Sequence, residues 1–225
     1  MAKVYLSPSD QESNVYAYDN TNEAVQCGRI AEACRAALER SGVEVKVGHM
    51  ISMAQKCSES NAFGADLHVP IHTNAFNGKV MGTRMFCYSS DGKGMAACKA
   101  IFARLAPITP GESENIQVNA DYYEVRVPAA PTAYIECEFH DTVEGAKWIV
   151  ENTVLIGETI ARGICDYFGV TFKEPEKPKP VEPEKKDVLY RVQIGAYKIK
   201  ANAEKRQAEA KAAGFTDAFI VTVEQ

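Results

Sequence analysis

A layered α/β fold, with a mostly parallel sheet flanked by helices and a small βαβ module behind it, is what this sequence predicts. Three observations carry that expectation. Strand-like and helix-like apolar patterns alternate from residue 3 to residue 168. Helical stretches run into Gly42 and Gly64, which are natural stops. A proline- and charge-rich segment, residues 173–187, then separates a short tail that repeats the strand–helix–strand pattern.

The elements follow in order. Lys3 to Leu6 reads as a short strand. Residues 21–41 read as an amphipathic helix, with Val25, Ile30, Cys34 and Leu38 near helical spacing. Val43, Val45 and Val47 alternate as a strand, and a helix is expected at 52–62. Residues 66–72 form an apolar strand, 83–88 another, and 92–105 a helix. A strand is also read at Tyr122-Tyr123-Glu124-Val125. The apolar strand 132–139 and one or two helices over 143–168 complete this part. Sheets of this kind collect ligands at the carboxyl ends of their strands, here near Ser9, His72 and Phe139.

Composition narrows the function classes. The chain has 225 residues, 46% hydrophobic and 24% charged, as suits an ordinary domain plus something smaller. No apolar run approaches the ~20 residues of a membrane helix. The start, Met-Ala-Lys-Val-Tyr-Leu, has no apolar signal region, so synthesis in a cytoplasm without a signal peptide is expected. Seven scattered cysteines without a Cys-x-x-Cys pair suggest neither a disulfide framework nor a cysteine zinc motif. They read as small buried hydrophobes. The spacer holds four prolines, five acids and five lysines and would span roughly 45 Å if extended. The expected organisation is therefore a catalytic domain at 1–172, the spacer at 173–187 and a module at 188–225. With a net charge of −5 overall, the module carries +2 and residues 1–172 carry −7. Neither part is basic enough for nucleic acid, and no membrane partner is indicated.

The residues that can do chemistry cluster at strand ends. Leu67-His68-Val69-Pro70-Ile71-His72-Thr73-Asn74-Ala75-Phe76 delivers His72 to a strand terminus and turns it into a polar loop, with Asn74 at the rim. An imidazole at a strand terminus before a polar turn suits a metal ligand better than a core histidine. His68 lies about 13 Å back along the strand, in a supporting or packing position. Glu136, in Ile135-Glu136-Cys137-Glu138-Phe139, is costly to bury ionised. It is either ion-paired, to Arg84 or Arg126, or a general base beside a metal. Glu138 shares its face and could line a groove, and His140 follows close by. Cys137 should point to the opposite face. Glu23 is either the second half of a capping box begun by Asn20 or a carboxylate turned toward the strand ends.

These motifs resemble the zinc-dependent N-acetylmuramoyl-L-alanine amidases over residues 3–169. In that family a Ser-Leu-His-Ala-Asn-Ala strand corresponds to His72, and a Val-Glu-x-Gly-Phe strand corresponds to Glu136. Gly82-Thr83, Asn115-Ile116-Gln117-Val118 and Ala161-Arg162-Gly163-Ile164 fit as well. The resemblance implies one divalent metal, Zn2+ first, held by Glu23, His72 and a group from the first loop. The family's Asp-Pro-Gly-His-Gly is here Ser7-Pro8-Ser9-Asp10-Gln11, which puts Asp10 at the histidine position, with Gln11 as the alternative. An Asp10 ligand would shift the preference toward manganese or iron. Glu136 would be the base, with Asn74, Glu138 and His140 as substrate contacts.

The tail, from Tyr190-Arg191-Val192-Gln193-Ile194-Gly195-Ala196-Tyr197 through Ala203-Glu204 to Ala213-Gly214-Phe215, resembles a half-length SPOR domain. Strands are expected at 189–196 and 218–223 around a helix at 201–213. That likeness implies peptidoglycan as partner, and a homodimer if a second copy completes the module. Together the two resemblances imply an endolysin-like peptidoglycan hydrolase. The alternative is an amidase-like wall-binding or regulatory module without metal or activity.

Overall fold

The computed structural model describes residues 1–114, 116–175 and 190–223. Contacts divide the chain into two compact units, 1–176 and 177–225.

In the first unit, strands β1 (Lys3–Pro8), β2 (Glu44–Val47), β3 (Leu67–Asn74), β4 (Arg84–Cys87), β5 (Gln117–Val118) and β6 (Tyr134–Phe139) make one sheet in the order β2-β1-β3-β6-β4-β5. The pairs β1–β2, β1–β3, β3–β6 and β4–β5 are parallel, and β4 runs antiparallel to β6. The helices are α1 (Glu23–Arg40), α2 (Met53–Phe63), α3 (Lys93–Leu105), the single turn α4 (Tyr123–Arg126) and α5 (Val143–Phe168). The expected layered fold is thus the observed one. No helix among the described residues is long and apolar enough to cross a membrane.

Alternation along the strands gives the sheet two unlike faces. Val4, Leu6, Leu67, Val69, Ile71, Met85, Ile135 and Cys137 are buried in one core with Ile30, Cys34 and Leu38 of α1, Ile101 of α3, and Ile149, Ile156 and Ile160 of α5. Cys137 lies on this apolar face, as alternation requires. All seven cysteines are free and buried. Residues of the other parity, Tyr5, Ser7, His68, His72, Tyr134 and Glu136, belong to the second face, over which α2 and α4 lie.

Several local expectations change. Helix α1 begins at Glu23, and its cap is Asn22, whose side chain accepts from Val25 N. Asn20 sits outside the helix with φ +45, so the capping box from Asn20 to Glu23 does not form. Val25 is exposed, because the buried stripe runs through Cys27, Ile30, Ala31 and Cys34 instead. The strand read at 122–125 is the helical turn α4, which tucks Glu124 inward at 2% exposure. Helix α5 is one element kinked at Asn152, whose Nδ2 donates to Trp148 O at 2.8 Å.

The second unit has α6 (Lys200–Ala212), followed by Gly214 at φ +100. Residues 190–196 and 218–223 were expected as strands, and neither is one; Leu189 lies outside the described residues, as do residues 176–187 of the spacer. A strand needs a neighbour to take its N–H and C=O groups. Among the described residues the tail's apolar positions have no such neighbour: Tyr190, Val192 and Ile194, and then Phe219, Val221 and Val223, are all exposed.

Glycine decides how closely α1 and α5 pack. A Cβ on Gly157 would sit 2.5 Å from Ile30 O and 2.7 Å from Ala33 Cβ. Gly157→Ala is therefore expected to lower unfolding stability by about 1–3 kcal/mol through overpacking, measured by urea denaturation of the full chain. An unchanged midpoint would mean that the helix pair can separate freely.

Candidate metal and catalytic centre

The site is built where β1, β3 and β6 end. Ser9 N donates to Ile71 O at 2.9 Å, which ties the first loop to β3. Lys56, buried on α2, donates Nζ to Pro8 O at 2.7 Å and lies 3.4 Å from Asp10 Oδ2. Asp10 is thereby drawn to Lys56. Gln11 turns the other way, its side-chain amide 3.4 Å from His72 Nδ1. Asn14 Nδ2 reaches both Gln11 Oε1, at 3.1 Å, and Glu23 Oε2, at 2.6 Å.

Starting α1 at Glu23 leaves its carboxylate free to reach β3. Glu23 Oε1 lies 2.9 Å from His72 Nδ1 and accepts from Thr73 N at 3.4 Å. Burial pushes this carboxyl up, but the hydrogen bond and charge of His72, with help from Asn14, outweigh it and hold the group below its ordinary range. His72 responds in kind. Burial lowers it, while Glu23 and the nearby Glu136 raise it above its ordinary value. Its ring stacks on Tyr134, centroids 4.7 Å apart.

Glu136 stands beside His72 because the two are Cα partners across the parallel β3–β6 pair. Arg84 is its partner on the other side, but that guanidinium turns to Glu114 at 2.9 Å. No basic side chain among the described residues forms an ion pair with Glu136, so neither expected pairing, with Arg84 or Arg126, is made. Burial pushes Glu136 up to about 8, with His72 opposing and Glu23 adding.

The donor set suits a divalent cation. Gln11, Glu23 and His72 converge as amide, carboxylate and imidazole, and the Gln11 amide can be turned to present oxygen. Glu136 Oε2 is buried close by without a hydrogen-bond partner. An orphaned carboxylate oxygen beside a carboxylate–imidazole pair fits a site that a cation would complete.

The other expected contacts are placed differently. Asn74 is half-buried at the end of β3, its Oδ1 accepting from Ala75 N at 2.8 Å. Glu138 is fully buried and accepts from Gly82 N at 2.8 Å and Phe139 N at 2.7 Å. It braces the β4 approach and lines no groove. His140 stacks on Tyr16 and lies 3.0 Å from Thr73 Oγ1, so it braces β3 against β6 from inside. Tyr134 and Asn14 were not anticipated. Tyr134 shares the face of Glu136 two residues back, a signal that was present; Asn14 meets Glu23 only through the loop's fold.

With this geometry in hand, comparison identifies the class. The pattern of the N-acetylmuramoyl-L-alanine amidase family, Amidase_3, matches residues 9–166, and the chain belongs to that family of peptidoglycan hydrolases. A SPOR domain matches residues 174–224, beginning inside the segment read as spacer. Among relatives, the sporulation-specific N-acetylmuramoyl-L-alanine amidase of Bacillus subtilis (strain 168) is 26% identical over 98% of this chain and 85% of its own length. The N-acetylmuramoyl-L-alanine amidase CwlM of Bacillus licheniformis has the same identity and coverage. Solved structures of such amidases share the fold, these two among them. The catalytic domain of CwlV from Bacillus (Paenibacillus) polymyxa var. colistinus has TM-score 0.69 and 17% identity, over 76% of this chain and all of that one. AmiC2 of Nostoc punctiforme has TM-score 0.66 and 18% identity, over 75% and 97%.

Glu138 makes the site's surroundings sensitive to pH. Burial pushes it up to about 7 from an ordinary 4.5. The folded chain therefore holds that proton when the unfolded chain has released it. The resulting cost is absent below pH 4.5, grows as pH rises, and is complete above 7. Glu138→Gln should gain stability relative to wild type over that window, by up to roughly 3 kcal/mol. Denaturation curves at several pH values would show it; a pH-independent difference would mean the carboxyl is solvated.

Proposed function

We propose that this chain hydrolyses the amide between the lactyl group of N-acetylmuramic acid and L-alanine in peptidoglycan, at a divalent metal, zinc first, held by Gln11, Glu23 and His72. The observation that carries this reading is the register placing Glu136 beside His72, with Glu23 on the imidazole. Members of the family typically use a metal. A cation bound by these residues supplies a Lewis acid for the amide carbonyl and acidifies water.

The chain's own groups do the rest. Glu136 accepts the proton of the attacking water as its oxygen bonds to the carbonyl carbon. It then donates that proton to the alanine nitrogen as the C–N bond breaks, leaving a lactyl carboxylate and a free stem peptide. Tyr134 holds the His72 ring, Asn14 holds Glu23, and the half-buried Asn74 offers its amide to substrate at the rim.

The tail would keep the enzyme on the wall and raise local substrate concentration. Its exposed apolar residues suit pairing with a second copy, giving a homodimer. The whole then acts lytically, as an endolysin does.

One observation favours a second reading, wall binding without cleavage: Asp10 is committed to Lys56 and not to His72. The orphaned, buried Glu136 counts against it. Metal analysis and turbidity loss on purified peptidoglycan, for wild type and His72→Ala, separate the two. The expected result is bound metal and lysis in wild type and loss of both in the variant. Absence of both in wild type, even with zinc or manganese supplied, would sink the enzyme reading. Glu136→Gln should keep metal and lower the rate by about 10²–10⁴-fold. Gln11→Ala should lose metal while Asp10→Ala keeps it; the opposite pattern would make Asp10 the third ligand.

A further inference from the structure

A second cluster lies deeper on the same face of the sheet. Cys57 on α2, His68 on β3 and Glu124 on α4 each offer a ligand atom, and these atoms lie within 4.8 Å of one another. All three residues are at most 2% exposed. His68 Nε2 is 3.2 Å from Glu124 Oε1, the same oxygen that accepts from Ser7 Oγ. His68 Nδ1 is buried with no hydrogen-bond partner.

The Glu124 carboxyl is enclosed with few partners. Its Oε1 meets Ser7 Oγ and His68 Nε2, and no lysine or arginine among the described residues pairs with it. Buried carboxylates of this kind are hydrogen-bonded, paired or bound to metals. Sulfur, nitrogen and carboxylate oxygen form a donor set suited to zinc. The supporting contacts are also present. The Tyr5 ring stacks on His68 at 5.3 Å and 7°, and Ser7 fixes the carboxylate.

We propose that Cys57, His68 and Glu124 form a second, structural site for a zinc-like divalent cation. The site is distinct from the one at His72, which lies about 13 Å further along β3. Binding takes Cys57 as thiolate and releases its proton to solvent. The cation ties α2, β3 and the turn α4 together. Tyr122, next to that turn, packs on Tyr134, which stacks on His72, so the buried site would steady one wall of the catalytic centre.

The test is reconstitution of the metal-free full chain with cobalt. Wild type should take up about two ions per chain and show a thiolate-to-cobalt charge-transfer band. Cys57→Ser should lose the band and one ion; His72→Ala should lose one ion and keep the band. A wild type without the band, or a band that survives Cys57→Ser, would overturn the proposal. If Cys57→Ser does not fold, Cys57→Ala takes its place with the same expected losses. One ion with a band, unchanged in His72→Ala, would support this site and remove the catalytic metal; one ion without a band, lost in His72→Ala, would do the reverse.

Discussion

Everything at this site depends on the register between β3 and β6. Parallel pairing sets His72 against Glu136, so an imidazole and a carboxylate emerge side by side at neighbouring strand ends. That register is held from the other face. Ile71, Ile135 and Cys137 are wholly buried against the helices, and a one-residue slip would turn them into the polar layer and drive Glu136 into the core. The apolar core thus positions the chemistry without touching it.

The polar face shows how differently burial acts on one residue type. Glu23 and Glu124 each meet an imidazole and stay ionised. Glu136 and Glu138 have no cationic partner bonded to them among the described residues and are pushed up, to about 8 and about 7. Desolvation is common to all four, and the partner decides the outcome. A proton carrier and a ligand carboxylate can therefore stand close together and behave oppositely.

Much of this was legible along the chain. Strand alternation put His72 and Glu136 at strand ends, on one face, and put Cys137 on the other. The first loop was legible only in part: Asp10 and Gln11 are adjacent candidates, and a lysine 46 residues from Asp10 draws one of them away. Glu138 and His140 had the right parity and position, but parity says nothing of depth, and both are spent on bracing contacts. The capping reading of Glu23 failed because Asn20 adopts a left-handed conformation outside the helix. In the tail, alternation suggested strands that do not form among the described residues, since apolar periodicity cannot provide a hydrogen-bonding neighbour.

The sequence by itself determined the layered α/β class, the two faces of the sheet and the strand termini that carry His72 and Glu136. These follow from local periodicity and from the high cost of burying polar groups. Only the tertiary structure decided that Gln11 rather than Asp10 approaches His72, that Asn14 bridges Glu23, and that Cys57, His68 and Glu124 meet. Those contacts join side chains from separate elements, and their partners are chosen by packing distances of a few ångströms, which no spacing along the chain records.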